Sequence, residues 1–86
     1  MNRQEATRLL KEVLRVCGDM PADAVMLMPP NSNNVLSHGY QLHIKANLGN
    51  EHLECVKPLV QKNKLNMNYE PEHSLLVIYR PMEKKT

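Results

Sequence analysis

Residues 75 to 79, Leu-Leu-Val-Ile-Tyr, are apolar at every position. So short a run of bulky side chains reads as a β-strand, and successive side chains of a strand point to opposite faces. Both faces of this strand then need cover, which expects it inside a sheet. Residues 24 to 28, Ala-Val-Met-Leu-Met, have the same character and end at Pro29 and Pro30, so they are expected in the middle as well.

Two other segments alternate. Tyr40, Leu42, Ile44 and Ala46 fall on one side of residues 40 to 46, with Gln41, His43 and Lys45 on the other. Residues 65 to 69, Leu-Asn-Met-Asn-Tyr, repeat that pattern. Alternation marks a half-buried strand. These two are expected at the sheet edges, where Lys45 would discourage edge-to-edge pairing. The connection Glu-Pro-Glu-His, residues 70 to 73, predicts a hairpin between the last two strands.

Helical spacing appears twice. Ala6, Leu9, Leu10, Val13, Leu14 and Cys17 form a stripe over residues 3 to 17, with Asn2 and Glu5 placed as a capping box and Gly18 as a stop. A second helix over residues 51 to 63 would bury Leu53, Val56 and Val60 and be capped by Asn50. Pro58 predicts a kink or break there, because proline removes a backbone donor and crowds the preceding turn. The order α-β-β-α-β-β then gives an α+β fold, a two-layer sandwich in which two helices cover one face of a four-stranded, mainly antiparallel sheet. Residues 1 to 80 are read as a single domain and residues 81 to 86 as a charged, frayed tail.

That architecture leaves one sheet face without helices. With Leu75, Val77 and Tyr79 set against the helices, Leu76 and Ile78 point outward, ringed by Gln41, His43, Lys45, Asn66 and Asn68. An apolar centre within a polar rim has the layout of an interface. The long polar connection of residues 29 to 39 is expected to line one end of the sheet, with Val35 and Leu36 docking on the same face.

Chemistry is thinly represented. His52 and Cys55 share a helix face at three-residue spacing, but a structural zinc site needs four ligands and close cysteine pairs. Neither Cys17, at the end of an apolar stripe, nor Cys55 has the cationic surroundings that activate a thiol, so both read as small packed groups. No metal and no cofactor is expected, and an enzyme is disfavoured. The 11 Lys and Arg against 9 Asp and Glu leave a formal charge of +2, too small to imply nucleic acid or an anionic membrane by itself. Charges interrupt the first residues every few positions and no apolar run approaches a membrane span, so a cytoplasmic protein is expected.

The reading that results is a non-catalytic interaction module, binding a protein partner or a second copy through the open sheet face. The alternative is a weak nucleic-acid binder that uses Arg8, Lys11 and Arg15 on the first helix with Lys57, Lys62 and Lys64 on the second.

Overall fold

A computed structural model describes residues 1 to 29 and 39 to 81. Helix α1 (Arg3–Val16) is followed by a 3-10 turn at Ala22–Ala24, strand β1 (Val25–Met28), strand β2 (Gln41–Lys45), helix α2 (Asn50–Lys62), strand β3 (Asn66–Glu70), a 3-10 turn at Pro71–His73 and strand β4 (Leu75–Tyr79). The α+β sandwich expected from the pattern is present, in the order α-β-β-α-β-β, with an antiparallel four-stranded sheet. Val35 and Leu36, most of the connection they belong to, and residues 82 to 86 of the tail lie outside the described residues.

The lateral order of the strands is β1-β2-β4-β3. β4 is central and β3 is an edge, as expected. β1 and β2 exchange their expected places, so Lys45 does not guard an edge. Alternation reports which face of a strand is covered and carries no information about its neighbours in the sheet. Hairpin connectivity decides that instead: β1 pairs with β2, β3 pairs with β4, and the two hairpins join through β2 and β4.

The register assigns every strand residue to a face. Leu42 lies opposite Ile78 and Ile44 opposite Leu76, and all four are fully buried. Ala6, Leu9 and Val13 of α1 and Val56, Leu59 and Val60 of α2 close over them in one core. Leu76 and Ile78 therefore point towards the helices, the reverse of the orientation expected. A run that is apolar at every position has no preferred side of its own, so its partners choose. Here Leu42 and Ile44 do so, because directly opposed residues of antiparallel strands share a face. Arg80 keeps the same parity and donates from Nη2 to Glu5 Oε2 on α1 at 2.8 Å.

The ends of the elements are fixed by local chemistry. Asn2 Oδ1 accepts the Glu5 backbone N–H at 2.8 Å and the Glu5 carboxylate accepts the Asn2 N–H at 3.4 Å, completing the capping box. α2 begins one residue earlier than expected, with Gly49 at the cap position and its N–H donated to His52 Nδ1 at 3.3 Å. α2 also runs through Pro58 without a break. Pro58 and Glu54, whose carbonyl loses its intrahelical donor, are both exposed, so water can satisfy the freed oxygen. Tyr69 extends its hydroxyl to accept the Leu48 N–H at 3.1 Å. Gly39 has φ +78°, and a Cβ there would run into the Met1 carbonyl oxygen, the atom that accepts the Tyr40 N–H at 2.6 Å.

Cys17 and Cys55 are joined by a disulfide with a Cα–Cα distance of 6.0 Å. This corrects their reading as separate packed thiols and removes Cys55 as a metal ligand. Spacing alone could not show the pairing, since it depends on how the end of α1 packs against α2. The bond spans a sequence separation of 38 residues, for which loop-closure entropy gives about 4 kcal/mol of stabilisation. Urea unfolding of the oxidised chain and of the Cys17→Ser/Cys55→Ser variant is expected to differ by about 2 to 4 kcal/mol. Equal midpoints and slopes would show that the bond does not restrict the unfolded chain.

Candidate functional site

The sheet face away from the helices carries the side chains of odd parity on β4 and their partners. Its middle row reads Met26, His43, Val77, Asn68 across the four strands. Beside it lie Lys45, Leu75 and Glu70 on one flank, and Met28 with Gln41 and Tyr79 with Asn66 on the other. The expected open face thus exists, with a different centre. Leu75, Val77 and Tyr79 are half-buried on it, while Met26 and Met28 on β1 are 42% and 37% exposed.

Gln41, His43, Lys45, Asn66 and Asn68 all belong to the expected face, but β2 is an inner strand, so Gln41, His43 and Lys45 run between the methionines of β1 and the apolar residues of β4 and form no rim. Leu76 and Ile78 do not line the face, since both have no exposed surface. The apolar residues that replace them carried a faint signal. Met26 and Met28 alternate with Val25 and Leu27, and Tyr79 has a hydroxyl that a closed aliphatic core would have to satisfy. Flexible thioethers at the more exposed positions suit a surface that adapts to its partner.

Polar groups on this face are organised locally. His43 Nε2–H donates to Gln41 Oε1 at 2.8 Å, fixing the tautomer, and Gln41 is only 9% exposed. Burial holds the His43 imidazole below its ordinary pKa of 6.5. At the far corner Glu70 accepts from Asn68 Nδ2 at 3.5 Å and lies 2.9 Å from His73 Nδ1. The Ser74 hydroxyl, in left-handed backbone at φ +49°, donates to Asn47 Oδ1 and ties the β3–β4 turn to the segment after β2.

The basic residues of the nucleic-acid alternative belong to the two helices and the end of α2. Arg8, Lys11 and Arg15 of α1 are exposed, as are Lys57 and Lys62 of α2 and Lys64 beyond its end. Lys62 leans to Glu12 of α1 at 3.7 Å, Arg8 and Lys11 share a shallow depression with Arg3, Gln4 and Thr7, and Arg8 also borders a second one that holds Glu5, Glu12 and Arg80. A small cleft beside the disulfide is lined by Asp19, Glu51 and His52. Among the described residues no group of three His, Cys, Asp or Glu side chains is arranged to hold a metal ion. Nor is any described helix long and apolar enough to cross a membrane.

No protein-family model, curated protein or solved structure matches the chain.

Burial also holds the Met1 amino group below its ordinary value of 8.0, and below that range Glu5 and His43 make stability depend on pH. The Glu5 carboxyl is held below its ordinary value of 4.5 first by the Asn2 backbone N–H and then by the Arg80 guanidinium, against a desolvation cost that acts the other way. Both folded-state values are depressed, so each group contributes stability that is complete above its unfolded pKa and is lost as pH falls through the folded value. Thermal unfolding from about pH 7.5 to about pH 3 is expected to weaken first below the histidine range and again below the carboxylate range. His43→Gln should flatten the first decline and Glu5→Gln the second. A decline unchanged in both variants would assign it to other groups.

Proposed function

We propose that this chain is a non-catalytic interaction module whose docking surface is the sheet face centred on Val77. The supporting observation is the make-up of that face. Leu75, Val77 and Tyr79 form an apolar field on β4 between His43 and Lys45 of β2 and Asn66, Asn68 and Glu70 of β3, which offer groups able to hydrogen-bond a partner, and Met26 and Met28 add exposed thioethers beyond β2 at the β1 edge. Burying such a field against protein would add to the limited burial that a chain of 86 residues achieves alone. The disulfide weighs against the reducing cytoplasm expected from sequence, since such bonds persist mainly where thiols are not kept reduced.

Val77→Lys and Ile78→Asp separate the face from the core. Ile78→Asp buries a carboxylate among Leu42, Ile44 and the helices and is expected to unfold the chain, with loss of cooperative thermal melting. Val77→Lys is expected to keep the fold with a stability change of about 1 kcal/mol or less, while lowering association in a light-scattering concentration series. Association of native strength in folded Val77→Lys would overturn the face as the docking surface.

Nucleic-acid binding is the second reading. The depression on α1 gathers Arg3, Arg8 and Lys11 without a carboxylate in its lining. Phosphate contacts of this kind release counterions, so binding to an oligonucleotide should fall with the logarithm of salt concentration. Arg8→Gln/Lys11→Gln should reduce that slope by about 2 on double-stranded DNA. No binding at low salt would eliminate this reading.

A further inference from the structure

The two edges of the sheet differ in kind. An edge strand presents a row of unpaired N–H and C=O groups, and edges are commonly protected by charge or proline. β3 carries Asn66, Asn68 and Glu70 on its outward positions. β1 reads Val-Met-Leu-Met, with no charge and no proline, and among the described residues it pairs with β2 alone.

Apolar surface borders β1 on both sides. On the open face stand Met26 and Met28, 42% and 37% exposed. On the helix side, α1 lies over β1. Glu12 reaches across to Lys62 and so marks the flank of α1 that faces α2. Leu10 and Leu14, each two residues from Glu12, sit about 160° away around the helix, on the β1 flank. Both are only half-buried.

Charge supplies a direction. Met28 lies opposite Gln41, and the adjoining Tyr40 N–H is held by the Met1 carbonyl, so α1 begins at the Met28 end of β1. Exposed Arg3 is in the first turn there. Exposed Asp23 precedes Val25 at the opposite end.

We propose that β1 pairs in antiparallel with β1 of a second copy of this chain, about a two-fold axis perpendicular to the sheet. The operation joins the two sheets into one, with all helices on the same side. It keeps residues of like face opposite one another, methionine against methionine below and Val25 or Leu27 against Leu27 or Val25 above. It also brings Leu10 and Leu14 of the two copies together, and sets Arg3 of each copy at the end that carries Asp23 of the other. Antiparallel self-pairing therefore matches both the apolar seam and the charges. The inference shares the premise of an association module and uses a surface separate from Val77.

The test is made in the Val77→Lys chain, where docking through the open face is switched off. Sedimentation equilibrium is expected to show a dimer, with amide exchange slowed at high concentration at alternate residues of 25 to 28. Adding Arg3→Glu should weaken the dimer about tenfold by turning two exposed attractions into repulsions, and adding Asp23→Arg to that chain should restore it. A native chain that associates while Val77→Lys is monomeric overturns edge pairing and leaves the face reading standing. A dimer identical in native and Val77→Lys chains, with the charge-reversal rescue, supports edge pairing and overturns the face. A dimer indifferent to both charge reversals, or a monomer in every chain, overturns edge pairing.

Discussion

The contact between β2 and β4 holds the two halves of the molecule together. Each half is a helix followed by a hairpin, and a two-stranded hairpin is marginal by itself in water. Joining β2 to β4 places Leu42 against Ile78 and Ile44 against Leu76 beneath both helices. Burying a side chain of this size contributes about 1.5 to 3 kcal/mol. These four residues also set the parity of every other strand residue, because pairing extends from them to β1 and β3. Which groups reach the open face is thus a consequence of one cross-strand alignment.

Interactions around that centre reinforce it from the margins. The capping box starts α1, and Arg80, leaving β4 on the helix side, returns to the Glu5 of that box. Gly39 allows the entry to β2 to approach Met1 closely. Cys17 and Cys55 clamp the other end of α1 to α2. A small domain buries a modest share of its chain, so links between remote segments matter more than in a larger protein. The clamp and the Glu5–Arg80 pair lie towards opposite ends of α1, which restrains the helix along its length.

Similar halves have acquired dissimilar surfaces. The equivalent rows on the open face run from Met26 at one edge to Asn68 at the other, with His43 and Val77 between them. Polarity therefore alternates strand by strand across the sheet, apolar on β1 and β4 and polar on β2 and β3. The apolar edge has no charged residue, and the polar edge ends in the Glu70 and His73 pair. A partner on this face would meet thioethers at the β1 edge, the polar groups of β2, the aliphatic groups of β4, and amides and a carboxylate at the β3 edge.

Periodicity and local chemistry made much of this legible in advance. The stripe from Ala6 to Val13, the Asn2 and Glu5 cap, the alternation of β2 and β3 and the turn at Pro71 each depend on neighbours within a few residues, and all are present. The α+β class and element order follow from them. Of the site, the polar members of the face were legible because alternation sets Gln41, His43, Lys45, Asn66 and Asn68 on the side away from their apolar neighbours, while their place within the face depended on strand order. The apolar centre was not, because the continuous run of β4 fits a core with either parity. Only packing against Leu42 and Ile44 turned Leu76 and Ile78 inward and left Val77 outside. Strand order and the Cys17–Cys55 bond were settled by tertiary structure for the same reason: each depends on which distant surfaces meet, and no local pattern encodes that.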